Sequence, residues 1–240
     1  MGYRLWVLAG IVLAFLATRW QGRPPAALAP HRAWLTLAAV AGAVAGAYLG
    51  ELPAELAGWS AGPVGADAGL PLGGRTVLGG LLGGWLAVEL AKWRLGLRLA
   101  TGDGFALPLA LALACGRLGC WSAGCCAGRG CDPAAWYAAV GVDGQTRIPV
   151  QLIEAVFHGT AALLLACAHR RDWWPGRRLA AYLAAYAVLR LGLEGWRGAP
   201  PVLLGATWYQ FLALTLLVLA GCTWWRRRPR GISGSAGACI

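Results

Sequence analysis

Two arginines, Arg117 and Arg190, stand inside otherwise apolar stretches of the sequence, and each belongs to a pattern. Tyr186, Arg190, Glu194 and Arg197 follow one another at steps of four, four and three, and Gln151, Glu154 and His158 at steps of three and four. On helices, both spacings stack side chains on a single face. A guanidinium is planar and always charged and grips phosphate or carboxylate oxygens through two parallel N–H bonds. The chemistry that these residues suit is therefore the capture of an anion. Paired with Glu154 and Glu194, they could equally hold helices together.

The surroundings decide what kind of helix carries them. The 240 residues are 58% hydrophobic and 13% charged, with a mean hydropathy of +0.57, which excludes an ordinary soluble domain. The 36 glycines suit helices packing closely in lipid, and many of the 14 tryptophans lie near the ends of apolar runs, where headgroups would meet their rings. A spanning helix needs about 20 apolar residues. By that measure the chain is predicted to be an all-α membrane protein of seven transmembrane helices, near 3–18, 33–50, 76–92, 104–124, 150–168, 179–197 and 202–222. The first run, Leu5 to Thr18, lacks a small-residue cleavage site and reads as a retained helix. Residues 1–225 form one transmembrane domain, and 226–240 read as a basic, disordered cytoplasmic tail.

Alternate connections divide the basic residues unequally. One side holds Arg19, Arg23, Arg32, Lys92, Arg94, Arg98, Arg170, Arg171, Arg177, Arg178, Arg226, Arg227, Arg228 and Arg230; the other holds Arg4, Arg75, Arg129, Arg147 and Arg197. Positive charge favours the cytoplasm, so the N-terminus is expected outside and the C-terminus inside. This distribution absorbs most of the net charge of +11 into topology and anionic headgroups, and no nucleic-acid partner is expected.

In that orientation Gln151 and Glu154 begin the fifth span outside, Arg190, Glu194 and Arg197 approach the same surface, and Arg117 lies one to two turns below it. An ionisable residue within a span costs roughly 2.5–3.5 kcal/mol on insertion scales, so it faces a cavity, a partner or a substrate. Three arginines against two glutamates leave one positive charge near lipid, which a phospholipid phosphate in the outer leaflet would satisfy. His158 lies about two turns deeper than Gln151.

Around Arg117 the chain reads Gly116-Arg117-Leu118-Gly119-Cys120-Trp121-Ser122-Ala123-Gly124-Cys125-Cys126-Ala127-Gly128. It resembles the Gly-Arg-x-Gly signature of the bacterial prolipoprotein diacylglyceryl transferases. Three more blocks are similar to that family in the same order: Gly73 to Gly84, glycine-rich; Pro149-Val150-Gln151-Leu152-Ile153-Glu154; and the Tyr186, Arg190, Glu194, Arg197 stripe.

The resemblance implies transfer of diacylglycerol from phosphatidylglycerol to the lipobox cysteine thiol of a preprolipoprotein, in the lipid bilayer of the bacterial cytoplasmic (inner) membrane, with the active site toward the outer leaflet. It implies catalytic roles for Arg117, Arg190 and Glu194. Gly79, Gly80, Gly116, Gly119, Gly128, Gln151, Glu154, Tyr186 and Arg197 would bind substrate, and no cofactor or metal is expected. Where many members carry His or Tyr before the paired glycines this chain has Leu78, and where many carry Asn after Gly-Arg-x-Gly it has Cys120. A leucine cannot take a proton, so either another group deprotonates the acceptor thiol or the chain binds phospholipid without the standard chemistry.

Cys120, Cys125, Cys126 and Cys131 cluster at the outer end of the fourth span. Their spacings do not match the common zinc pattern, and they read first as a disulfide or packing thiols. A redox or metal-handling protein built on these cysteines is the third reading.

Overall fold

The apolar stretches build seven α-helices in the computed structural model, which describes residues 2–22, 26–59 and 75–227: α1 (Gly2–Trp20), α2 (Arg32–Leu56), α3 (Val77–Arg94), α4 (Asp103–Ser122), α5 (Val150–Arg170), α6 (Arg178–Leu193) and α7 (Trp208–Arg226). Arg23, most of the 51–75 connection, Gly73, Gly74, Arg228, Arg230 and the segment Gly231 to Ile240 with Cys239 lie outside the described residues.

The burial pattern inverts that of a soluble protein. Ile11, Phe15, Leu37, Val44, Leu163 and Leu214 are exposed, whereas Arg117, Gln151, Glu154, His158, Arg190 and Glu194 are buried. Such a surface matches hydrocarbon. Among the described residues, five helical segments are long and apolar enough to cross a membrane: Gly2–Trp20, Ala29–Leu56, Asp103–Ser122, Val150–Arg170 and Trp208–Arg226. The expected third span falls short because Glu89, Lys92 and Arg94 crowd the end of α3, and the sixth because α6 has only 16 residues.

Several boundaries differ from expectation: α2 runs on to Leu56, past the expected 50, and three others shift for reasons visible locally. The helix expected from 202 begins only at Trp208, because Pro201–Leu203 (β1) and Ala206–Thr207 (β2) pair in an antiparallel hairpin that turns through Leu204 and Gly205 at positive φ. Thr207 then caps α7 reciprocally with Gln210, each side chain bonding the other's backbone N–H at 3.2 and 2.9 Å. Likewise α4 closes at Ser122, before Gly124 turns the chain at φ 69. The sixth helix stops at Leu193, and Glu194–Trp196 form a single 3-10 turn. A second ribbon, Ala139–Val140 with Thr146–Arg147, lies in the 123–149 connection, so the departures from an all-α chain are confined to the loops.

Glycines set the closest helix contact. Gly42, Gly46 and Gly50 recur every four residues on α2 and face Gly79 and Gly83 on α3. A Cβ on Gly46 would strike the Gly79 carbonyl and the Gly83 backbone, so only glycine permits this approach. Similarly α1 lies on α4, with Gly119 packed against Tyr3 and Trp6.

Hydrogen bonds gather the helix ends into two groups. At one end the Gly128 N–H donates to Ile148 (2.9 Å), the Arg129 N–H to Trp196 (2.7 Å) and the Trp208 indole to the Gly50 carbonyl (2.7 Å). The ends of α2, α4 and α6 thereby meet the starts of α5 and α7. At the other end Asp103 accepts from the Arg178 N–H (3.0 Å), Arg178 pairs with Asp172 (2.8 Å), and the Arg170 guanidinium lies over Trp20.

Candidate functional site

Glu154, one turn into α5 and fully buried, is the centre on which the predicted stripes converge. Arg117 of α4 approaches it with Nε at 2.7 Å from Oε2, Arg190 of α6 with Nη1 at 3.4 Å from Oε1, and Arg197, just past the 3-10 turn, with Nη1 at 3.7 Å from Oε2. Arg190 also pairs with Glu194 at 3.1 Å, four residues along the chain. Tyr186 joins the two sides: its hydroxyl accepts from Arg117 Nη2 (3.3 Å) and donates to Glu154 Oε1 (3.2 Å).

In direct ion-pair contact, three guanidiniums therefore meet two carboxylates, as the sequence count anticipates. The pairs are close but incompletely bonded. The 2.7 Å approach of Arg117 Nε to Glu154 Oε2 is not directed as a hydrogen bond, because both atoms remain without a hydrogen-bond partner. So do Arg190 Nε, both carboxylate oxygens of Glu194, Arg197 Nη1, Gln151 Oε1 and His158 Nε2. Buried polar atoms are bonded in the great majority of native sites, so this concentration of unmet donors and acceptors marks a place suited to a polar ligand.

The other predicted residues fall into two groups. Gln151 lies one turn from Glu154 and donates from Nε2 to the Cys125 carbonyl (2.8 Å), tying the turn after α4 to α5. Gly128 crosses so close to Ile148 and Trp196 that a Cβ would meet both carbonyls, and this crossing fixes the 3-10 turn of Glu194 beside α5. Gly116, one residue before Arg117, faces open space, whereas Gly119 serves the contact with α1. Gly79 and Gly80 pack on α2, against Gly46, Gly50, Ala43 and Ala47, and are not brought into the ion-pair cluster. Leu78 is fully buried, in the same apolar core as Tyr182 and Tyr186. His158 is also fully buried and shares a hydrogen bond with the Tyr182 hydroxyl at 2.8 Å, deeper in the bundle than Glu154.

Sequence reasoning missed two participants. Tyr182 extends the α6 stripe by one step of four, a signal that was present in the spacing. Glu51, buried near the end of α2, accepts from the Tyr209 hydroxyl at 2.5 Å and repels Glu194 electrostatically. It brings a third carboxylate to the margin of the cluster. Its only signal was an acidic residue beside the end of an apolar run.

The described cysteines are all free thiols, and beside this cluster the sulfurs of Cys120, Cys125 and Cys126 lie within 4.8 Å of one another. Hydrogen bonds from the Cys120 and Cys125 thiols, aided by the positive charges of Arg197 and Arg117, hold the Cys126 thiol well below the usual cysteine range. Cys131 packs instead against the small cluster of Ile148, Val150 and Leu193.

Long apolar helices around a buried arginine and glutamate centre define a helical membrane protein whose charged groups are organised inside the bundle. The chain belongs to the prolipoprotein diacylglyceryl transferase family, whose family model matches residues 1–226. It is 34% identical over 164 residues to the phosphatidylglycerol–prolipoprotein diacylglyceryl transferases of Legionella pneumophila strains Corby and Paris, a match covering 65% of this chain and 64% of theirs. It is 28% identical over 157 residues to phosphatidylglycerol–prolipoprotein diacylglyceryl transferase 2 of Clostridium perfringens strain 13, covering 60% of this chain and 59% of that one. The chain thus spans a little under two thirds of the length of the curated relatives it matches.

Glu154 stands within ion-pair distance of three arginines and Glu194 of one. Removing one partner from a buried ionic network costs about 3–5 kcal/mol, because the other charges are left uncompensated. Glu154→Gln is expected to fall in that range, and Glu194→Gln to cost clearly less, as read from unfolding midpoints of the purified protein in detergent. Equal losses would contradict the central place of Glu154.

Proposed function

We infer that this chain transfers the diacylglyceryl group of phosphatidylglycerol to the lipobox cysteine thiol of a preprolipoprotein, forming a thioether and releasing glycerol phosphate. The observation that carries this reading is the trio of arginines held on one buried carboxylate, with unsatisfied polar atoms around it. Family membership supplies the reaction class. The names of the relatives supply phosphatidylglycerol and prolipoprotein as substrates of those proteins.

In this reading Arg117 and Arg190 grip the lipid phosphate and neutralise the charge that grows on it as the ester C–O bond breaks. Donors preset at the position where charge develops are worth more in a dry site than in water, since they need no reorganisation. Glu194 acts catalytically by orienting Arg190. Glu154, Tyr186 and Arg197 shape the rest of the polar lining, and Gln151 and Gly128 hold the entrance loop in place. Gly116 leaves room for the lipid beside α4, while Gly119, Gly79 and Gly80 act through the packing of α1 and α2 that holds the bundle around the site.

The topology that fits is seven spans within residues 1–225, with the N-terminus outside, the basic tail 226–240 in the cytoplasm and the site toward the outer leaflet of the bacterial cytoplasmic membrane. The two groups of helix ends support it, because Arg170, Arg178 and Trp20 share one end while Arg129 and Arg197 share the other. A membrane-impermeant maleimide should label Asp143→Cys in intact spheroplasts and Asp172→Cys only after lysis. The reverse order would overturn the orientation.

A second reading, lipid binding without transfer, is favoured by Leu78, which offers no base in the buried core. Reconstitution with phosphatidylglycerol and a lipobox peptide separates the two. Thioether product should form, and Arg117→Ala and Arg190→Ala should each lower its rate by about 10²–10³-fold, the usual loss for one charge-stabilising donor. Tight phosphatidylglycerol binding with no product from the unsubstituted protein would establish the binding reading instead.

A further inference from the structure

Three thiols meet beside the arginine cluster, and the residue spacing gave little reason to expect it. Cys120 closes the last turn of α4, one helical step from Arg117. The chain then reverses through Gly124 at φ 69 and Cys126 at φ 61, and the reversal folds Cys125 and Cys126 back over Cys120. All three sulfurs lie within 4.8 Å of one another. The turn is fastened on both sides, by the Cys125 N–H to the Cys120 carbonyl (3.1 Å) and by Gln151 Nε2 to the Cys125 carbonyl (2.8 Å). Gln151 lies one turn from Glu154 on α5, so the same helix holds the thiols and the ion-pair centre.

A disulfide would use two of these sulfurs and leave the third idle. A borderline-soft divalent cation uses all three. Zinc takes thiolates in tetrahedral geometry, and sites with three protein ligands keep a fourth position open to water or substrate. Three thiolates about a divalent ion carry one net negative charge, and Arg117 and Arg197 act on Cys126 with the opposite sign. Cys125 and Cys126 are exposed and Cys120 is half-buried, so the fourth position faces outward.

We propose that Cys120, Cys125 and Cys126 bind one zinc ion whose fourth ligand is the thiol of the acceptor cysteine, which zinc delivers as a thiolate to the lipid held by Arg117 and Arg190. The metal site stands on the three sulfurs, and its role in transfer rests on the function proposed above. Coordination strips the proton from a thiol, so zinc replaces the base that Leu78 cannot supply. The acceptor thiol releases its proton to water as it binds. Its sulfur then forms a C–S bond with the diacylglyceryl carbon that bears the phosphate ester. The C–O bond breaks with its electron pair on the departing glycerol phosphate, whose added charge the arginines take up.

The test uses the full chain purified in phosphatidylglycerol nanodiscs. A single zinc per chain is expected, lost in Cys120→Ser, Cys125→Ser and Cys126→Ser and kept in Cys131→Ser. In case the serine variants fold poorly, zinc should also protect these three cysteines of the unsubstituted protein from alkylation while exposed Cys167 reacts. Cobalt(II) in place of zinc should gain thiolate charge-transfer absorption on adding a lipobox peptide with cysteine, but not one with serine. Removal of zinc by a chelator should slow thioether formation by at least about 10²-fold, the usual contribution of a positioned base, and zinc should restore it. Equal alkylation with and without zinc, or a disulfide among the three cysteines of the purified protein, would overturn the site. Undiminished thioether formation by zinc-free protein would overturn its role and leave the transferase reading intact. Stoichiometric zinc and a cobalt response without any thioether would support the site and sink the transferase reading.

Discussion

A carboxylate sealed inside a helical bundle in lipid must find its compensation within the protein, and Glu154 finds it in three arginines from separate parts of the chain. This constraint organises much of what surrounds it. Arg117 has to face α5, which fixes the rotation of α4, and Arg190 has to do the same from α6. Arg197 reaches the same carboxylate only because the chain tightens into a 3-10 turn after Leu193 and because, at the close crossing of Gly128, the Arg129 N–H bonds the Trp196 carbonyl of that turn. The desolvation of such a cluster is costly, and attraction offsets it only where the geometry is good. Here the arginines are close to the carboxylate yet not fully bonded to it, an arrangement better suited to sharing charge with a ligand than to maximal stability.

The helical part of the site was legible in the sequence. A helix repeats every 3.6 residues, so Gln151, Glu154 and His158, and Tyr186, Arg190 and Glu194, could be assigned to common faces before any fold was known. The charge comparison among Arg117, Arg190, Arg197, Glu154 and Glu194 held as well. The same rule read one step further would have added Tyr182. What stayed illegible depends on chain reversal. Nothing in the spacing of Cys120, Cys125 and Cys126 announces that a positive φ at Cys126 gathers their sulfurs, and Glu51 comes near Glu194 only through the packing of α2 and α7.

The glycines divide along the same line. Gly42, Gly46, Gly50, Gly79 and Gly83 repeat with a period of four and act through helix contact, whereas Gly128 acts through one crossing of backbones. The late start of α7 has a further local cause, since the Thr207 and Gln210 capping pair is a stronger helix signal than the apolar character of residues 202–206. Hydrophobicity located the helices, and caps and turns set their ends.

The most direct measurement of the central claim is the separation between lipid phosphorus and arginine side-chain nitrogen, by solid-state NMR on the protein labelled with nitrogen-15 arginine in phosphatidylglycerol bilayers. The result expected is a phosphate within direct hydrogen-bonding reach of Arg117 and Arg190, about 2.7–2.9 Å from nitrogen to oxygen, assigned by loss of the signal in Arg117→Met and Arg190→Met. Phosphorus coupled only to surface arginines such as Arg94 and Arg170, unchanged in both variants, would contradict it.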